Sequence, residues 1–395
     1  MANTSLGTAK KAKNDEFYTR WEDIEREMNA YRNFDPDVFR GKVVLLPCDD
    51  PEWSNFAKYF ALHFEDFGIK KLISTSFAPK SNFDGTYYEP TLFETEDPAY
   101  DAEKSMTRGR KFVLDSVDLN EDGRIDYDDL RWEYLEGDGD FRSEEITKLR
   151  DQVDIVVTNP PFSLFREFLA WLMEGDVAFS IIGPTNAITY KEVFPLIRDG
   201  EVWLGRGFSG GNAYFRVPEA ARDDYAAGVF DEETSTVHFR NISWYTNLEH
   251  GQRHEPLELM TMEDNLRFSR RKVIRESGYP RYDNYDAIEV SYTEAIPSDY
   301  EGLMGVPISF LDRHNPEQFE VLGITKTWDD DAGLKQKIYP TQTQVSKKGS
   351  RSQVGKLNDG AAIEVSEPPE STYYEVDGKM FKQPYARILI RKKGS

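Results

Sequence analysis

Cysteine is nearly absent from this chain of 395 residues, which holds one, Cys48, together with only five histidines. A single thiol excludes a disulfide scaffold and any Cys-rich zinc or iron–sulfur centre, and it points to a reducing compartment. Long apolar runs are missing as well. The opening MANTSLGTAKKAKNDEFYT lacks the apolar core of a signal peptide, and no stretch approaches the roughly 20 residues of a membrane span. A soluble cytoplasmic protein without a membrane partner is expected. Bases are also scarce, with 49 Lys and Arg against 71 Asp and Glu and a net charge of −22.

Taken whole, that charge argues against nucleic acid, whose phosphates are gripped by Lys and Arg. The sign is local, however. Residues 115–145 hold 13 acids and three bases, whereas residues 335–395 hold 12 bases and six acids. Surface acid is also a solubility device in salty cytoplasm, so it reports habitat as readily as partner.

The length suits two domains. From residue 42 to about 245, short β-branched runs alternate with stretches of helical spacing, the pattern of a mostly parallel sheet covered by helices. Val43 to Leu46, Leu72 to Ser76, Phe112 to Leu114, Asp154 to Thr158, Ala178 to Gly183 and Val237 to Tyr245 are expected as strands. Trp53 to Phe67, Leu164 to Met173 and Tyr190 to Ile197 are expected as helices. The fold class is α/β, a doubly wound Rossmann-like sheet over residues 1–250, with an acidic insertion at about 115–136. Residues 251–395 form a smaller α+β region, opening with an Arg-studded helix over Met262 to Ser277.

Asn159, Pro160, Pro161 and Phe162 follow the strand DIVVT directly. Acid or amide, Pro, Pro, aromatic arises by chance on the order of 0.01 times in such a chain. Its position also matters, because open α/β sheets bind ligands beyond the carboxyl ends of strands. An exocyclic adenine amine is a poor nucleophile because its lone pair is delocalised into the ring. An Asn oxygen and a backbone carbonyl that accept its two N–H groups free that lone pair. Proline fixes the carbonyls, and an aromatic ring stacks on a base that has left the duplex. A plain Pro-rich turn with an Asn cap is the blander alternative.

These residues, in their context, resemble the EcoRI-type adenine-N6 DNA methyltransferases. TNPPFSLFREF looks like that family's catalytic motif, NDEFYT (residues 14–19) like its N-terminal cofactor motif, CDDPEWSNF (48–56) like its first-strand loop and GDGDFRS (137–143) like its adenine-reading loop. The resemblance implies S-adenosylmethionine as cofactor, with Phe17, Tyr18, Pro47, Cys48, Asp49, Asp50, Asp140 and Phe141 lining it. Asp140 is expected to accept from the cofactor's adenine N6, with Phe141 packing on the ring. It implies Asn159 and the Pro160 carbonyl on the target amine, Phe162 on the flipped base, and double-stranded DNA as partner, recognised by residues 251–395, with two roles open: modification beside a cognate restriction endonuclease acting at the same site, or orphan methylation. Two departures stand out. LLPCDDPEWSNF lacks the usual glycines, and KLISTSF ends without the acid that holds ribose hydroxyls, leaving Glu65, Asp66 or Ser76 as substitutes.

A second constellation points to a different chemistry. Asp118, Asn120, Asp122, the Arg124 carbonyl, Asp126 and Asp129 match the oxygen positions of a 12-residue calcium loop, with Gly123 at the sharp turn and a helix expected over Tyr127 to Tyr134. Asp in place of Glu at the last position shortens its reach, and a solvated acidic loop is the blander reading. Cys48 reads as a small buried residue, and His250 and His254 as surface residues. Arg267, Arg270 and Arg271, with Lys347, Lys348 and Arg351 in a Ser-, Gln- and Gly-rich loop, are the phosphate-gripping candidates. A site-specific DNA methyltransferase is therefore expected. An amino-methyltransferase acting on RNA adenine or protein Gln is one rival, and a non-catalytic calcium- or DNA-binding module is the other.

Overall fold

The computed structural model describes residues 18–52, 54–78, 95, 99–208, 212–216, 230–231, 234, 236–329 and 333–394. The chain divides into two compact units, Met1–Ala187 with Val202–Gly251, and Ile188–Glu201 with Gln252–Ser395. Among the described residues no helix is long and apolar enough to cross a membrane.

In the first unit, strand β1 (Tyr18–Thr19) leads into helix α1 (Trp21–Phe34), and β2 (Val43–Leu46) into α2 (Asn55–Leu62). The buried face of α1 is Asp23, Ile24, Glu27, Met28 and Tyr31, a spacing of three and four that lays one helical stripe against the core. Ser54 caps α2 by accepting from the Phe56 and Ala57 N–H groups. Then follow β3 (Lys71–Thr75), α3 (Ala102–Thr107), β4 (Arg110–Leu114), β5 (Arg131–Tyr134), α4 (Glu144–Arg150), β6 (Ile155–Thr158), α5 (Phe165–Glu174) and β7 (Ala178–Pro184). After α6 (Phe194–Arg198) of the second unit come β8 (Trp203–Leu204), β9 (Asn212–Arg216), β10 (Phe230–Asp231), β11 (Thr236–Arg240) and β12 (Ile242–Thr246).

The main sheet runs β5-β4-β3-β2-β6-β7-β12-β8. Its centre, β3-β2-β6-β7, is parallel, and antiparallel strands close both flanks. The central strands are buried almost throughout, as a sheet covered on both faces requires. β1, β9, β11 and β10 form a second sheet whose inward residues Phe215, Val237 and Phe239 join the same core.

Two expectations are corrected here. Val237 to Tyr245 is not one strand, because Asn241 takes φ of 63° and delivers β11 and β12 to different sheets. Tyr127 to Tyr134 is not a helix. It is a single 3-10 turn, Tyr127–Asp129, followed by β5, whose exposed and half-buried alternation suits an edge strand.

In the second unit, α7 (Met262–Phe268) and α8 (Lys272–Ser277) divide the expected single helix. β13 (Ala287–Glu289), β14 (Leu303–Pro307), β15 (Phe319–Ile324), β16 (Thr343–Val345), β17 (Arg351–Gln353), β18 (Ile363–Val365), β19 (Tyr373–Val376), β20 (Lys379–Lys382) and β21 (Arg387–Lys392) follow. They form two sheets, β13-β14-β21-β15 and β17-β16-β19-β20-β18. The buried Glu289 pairs at 2.7 Å with the partly exposed Arg387 and ties β13 to β21.

Candidate active site

The carboxyl ends of β2, β3 and β6 lie side by side, and the loops that leave them form one connected polar group. β2 ends in Pro47 and Cys48, and Cys48 takes φ of 63°. The turn that a glycine makes in a Gly-rich loop is thus made here by a strained cysteine, a kind of backbone conformation that gathers at functional sites. Cys48 is half-buried rather than fully buried.

Asp49 turns inward. It is buried, with one carboxylate oxygen 2.5 Å from Ser54 Oγ and the other 2.6 Å from Thr158 Oγ1. Its N–H donates to the Thr75 carbonyl (2.7 Å), and Ser74 Oγ donates to its carbonyl. Burial pushes its carboxyl up to about 7. Asp50 turns toward Arg110, whose guanidinium lies 2.6 Å from its carboxylate and 3.7 Å from that of Glu52. The two neighbouring acids therefore have different tasks. Asp49 joins β2 to β6, and Asp50 joins the loop to β4.

Thr158, the last residue of β6, is buried, and Asn159 just beyond it is half-buried. Pro160 and Pro161 carry no N–H, so this stretch of turn offers acceptors alone. The Pro161 carbonyl is occupied by the Leu164 N–H at 2.9 Å, while among the described residues no donor is bonded to the Pro160 carbonyl. Phe162 opens a 3-10 turn and is 7% exposed, its ring edge-on to Phe215. It belongs to the apolar core more than to an open stacking platform.

The GDGDF loop packs on the end of β3. The Ala78 N–H donates to Asp138 O at 2.8 Å, and a Cβ on Gly139 would lie 2.3 Å from Ser76 O, so only glycine allows that approach. Asp140 is partly exposed and paired with Arg142 at 2.6 Å, which holds its carboxyl below the usual range, and Arg142 reaches Glu167 on α5. Phe141 is 2% exposed and packs edge-on against Phe168 and Trp171. Its ring is committed to the core and leaves almost no face for a ligand.

Phe17 and the side chain of Tyr18 lie outside the described residues. Their neighbour Thr19 is tied to the first loop by Asn55 Nδ2, which donates to Thr19 O at 2.7 Å. Among the described residues the buried Thr19 Oγ1 has no hydrogen-bond partner. The unpartnered Thr19 hydroxyl, the Pro160 carbonyl and the carboxylates of Asp50 and Asp140 are mostly accepting groups, a set that suits a ligand bearing amine, hydroxyl and cationic groups. Of the three ribose candidates, Glu65 and Asp66 precede β3 and lie exposed at its amino end, away from the crevice. Ser76 stands at the right end, where its Oγ accepts from Arg110 N at 3.1 Å.

The calcium expectation is not supported. Among the described residues no group of three or more His, Cys, Asp or Glu converges to hold a metal ion. Asp118 accepts from Gly123 N, Asn120 from Asp122 N, Asp122 from Arg124 N and Asp126 from Asp128 N, while Asp129 accepts from both Leu119 and Asp126 N–H groups. The loop is closed by its own backbone. His250 is also corrected, since it is buried and bonded to Leu204 O at 2.9 Å.

The phosphate candidates lie in the second unit. Arg267 pairs with Glu263, Arg271 with Glu294 and Arg351 with Glu375. Arg270, Lys347 and Lys348 are exposed and, among the described residues, have no ion pair. Lys347 and Lys348 sit at the tip of the β16–β17 hairpin, closed by Ser346 Oγ accepting from Ser350 N at 3.1 Å.

Residues 5–393 match the family model described as adenine-specific methyltransferase EcoRI. The chain belongs to the EcoRI-type adenine-specific methyltransferase family. It is 42% identical over 330 residues to the Type II methyltransferase M.EcoRI of Escherichia coli, spanning 83% of this chain and 91% of the relative. The Type II methyltransferase M.MpnI of Mycoplasma pneumoniae is 35% identical over 316 residues, 80% of this chain and 83% of that one. No solved structure matches the chain. Membership of the EcoRI-type family makes the chain an S-adenosylmethionine-dependent enzyme, which removes support from the reading as a non-catalytic module.

Residue-type reasoning on its own missed Thr158, Ser54 and Arg110. Two of them had a signal. Thr158 adjoins the catalytic turn in TNPPF, and Ser54 stands at the start of a helical run, but Arg110 reaches the loop only through the pairing of β4 with β3.

Proposed function

We propose that this chain transfers a methyl group from S-adenosylmethionine to N6 of an adenine flipped out of double-stranded DNA, as the modification enzyme of a restriction–modification pair. The observation that supports it most is the turn Asn159–Pro160–Pro161 at the carboxyl end of β6, whose two prolines present carbonyl acceptors and no N–H, joined through Thr158 to the loop after β2. The cofactor supplies a methyl group on positively charged sulfur. Asn159 Oδ1 and the Pro160 carbonyl oxygen accept the two N–H groups of the adenine amine, which directs its lone pair outward. N6 forms the new bond to carbon as the carbon–sulfur bond breaks, and the N6 proton passes to water. Holding both reactants in line is the larger part of the acceleration.

Asp50 and Asp140 serve the cofactor's cationic and amine groups, each beside its arginine, and Thr19 Oγ1 serves a polar group of the ligand. Arg270, Lys347 and Lys348 grip phosphates, and the paired Arg267, Arg271 and Arg351 join when DNA competes for them. A duplex supplies the base and the restriction context of the relatives, which favours DNA over RNA adenine or protein Gln.

Labelled methyl transfer to unmethylated duplex DNA, followed by nucleoside analysis, tests the reading. N6-methyladenine is expected. Asn159→Ala should lower kcat by about 10²- to 10³-fold, the cost of one acceptor or donor specific to the transition state, with cofactor binding by calorimetry nearly unchanged. Absence of N6-methyladenine, or an unimpaired Asn159→Ala variant, overturns it.

A further inference from the structure

Three oxygens at the junction of β2 and β6 are too close for the hydrogens that a charged Asp49 allows. Thr158 Oγ1 lies 2.7 Å from Pro47 O and 2.6 Å from Asp49 Oδ2. A threonine hydroxyl has one hydrogen, and a carbonyl oxygen has none. Whichever acceptor receives that hydrogen, the other faces a lone pair at hydrogen-bond distance. Ser54 cannot supply the missing proton. Its Oγ accepts from Phe56 N at 3.0 Å and Ala57 N at 3.4 Å, and its own hydrogen goes to Asp49 Oδ1. One arrangement gives every short O···O contact a hydrogen, namely Asp49 Oδ2 donating to Thr158 Oγ1 and Thr158 donating to Pro47.

We propose that Asp49 works as a neutral carboxylic acid, a positioning residue that donates to Thr158 Oγ1 and so fixes the Asn159 turn against the loop after β2. Its surroundings agree. Ser54, Ser74, Thr75 and Thr158 around it are uncharged. The charged neighbour is Asp50, which opposes a second negative charge and already holds Arg110, whose guanidinium also reaches Glu52. Burial and the Asp50 charge push the Asp49 carboxyl up to about 7. A carboxylic acid kept neutral in order to donate a hydrogen bond is a known use of a raised pKa. Because Thr158 directly precedes Asn159, ionisation of Asp49 would swing the Thr158 hydroxyl away from Pro47 and release the turn.

The assignment rests on the methyl-transfer reading for its kinetic part alone. Asp49→Asn mimics the neutral acid, with Nδ2 donating to Thr158 and Oδ1 accepting from Ser54. Infrared spectra of wild type at pH 6 should show a protonated-carboxyl C=O band that is missing in Asp49→Asn and fades in wild type above about pH 7. The wild-type kcat should fall over the same range, and Asp49→Asn should lose that fall. Thr158→Val should lower kcat by about tenfold or more with a much smaller change in KM for S-adenosylmethionine, and Thr158→Ser should restore most of it, as expected for a hydroxyl that positions the reaction. No such band at pH 6, an Asp49→Asn variant with the wild-type pH profile, or Thr158→Ser as impaired as Thr158→Val overturns the proposal. If wild type forms no N6-methyladenine, the methyl-transfer reading fails while the infrared result still decides the state of Asp49.

Discussion

Glu27 is a carboxyl in the middle of the buried face of α1. Tyr31 Oη donates to one of its oxygens, and the Arg206 and Gly207 N–H groups donate to the other. A Cβ on Gly205 would lie 1.8 Å from Glu27 Oε1, so the glycine is what allows the chain this close to the acid. Burial raises the carboxyl from 4.5 to about 7 despite those three donors. A carboxyl that holds its proton more tightly when folded contributes most to stability below its unfolded value. That contribution is lost as pH rises from about 4.5 through about 7. The unfolding free energy of Glu27→Gln, measured by urea titration, should therefore fall less between pH 5 and pH 8 than that of wild type. Equal falls would mean that Glu27 is ionised throughout.

Single residues decide where elements end. Asn241 stands between β11 and β12 with a positive φ, and its carbonyl accepts from Thr185 N at 2.7 Å. The alternation through VHFRNISWY is continuous, so nothing in the periodicity marks a change of sheet. Asn is among the few residues that adopt the left-handed region readily. Asn241→Gly should fold normally, while Asn241→Val should lower stability by about 1–2 kcal/mol, visible as a reduced melting temperature. The acidic segment teaches the same lesson from the other side. The spacing of Asp118 to Asp129 has a metal-loop pattern, but oxygen types at set intervals do not specify convergence, and here the same oxygens cap backbone N–H groups.

For the whole molecule, the net charge of −22 is an average over parts of opposite sign. The last 61 residues carry the basic excess, and the hairpin tip Lys347–Lys348 presents two bases without carboxylate partners among the described residues. Each phosphate contact steepens the fall of affinity with salt by close to one unit in a log–log plot. Lys347→Ala with Lys348→Ala should therefore make that slope shallower by about 2, whereas Arg351→Ala, whose guanidinium already serves Glu375, should change it less. An unchanged slope would remove the hairpin from the DNA contact.

The sequence by itself determined the local chemistry. β-branched runs flanked by helical spacing specified the parallel centre of the sheet, and Asn-Pro-Pro-Phe after one of them specified a turn rich in acceptors at the end where ligands bind. These are properties of neighbours along the chain, fixed by backbone restriction and by side-chain period. Tertiary structure decided which partners each of the marked residues has and which of them are packed away. Asp49 and Asp50 are adjacent and chemically alike, yet one is buried beneath Thr158 and the other is held by Arg110. Phe141 and Phe162 look like stacking rings and are packed into the core. The reason is physical. Burial, shared protons and ion pairs depend on partners tens or hundreds of residues away, Thr158 for Asp49 and Arg110 for Asp50, and only the folded sheet brings those partners together.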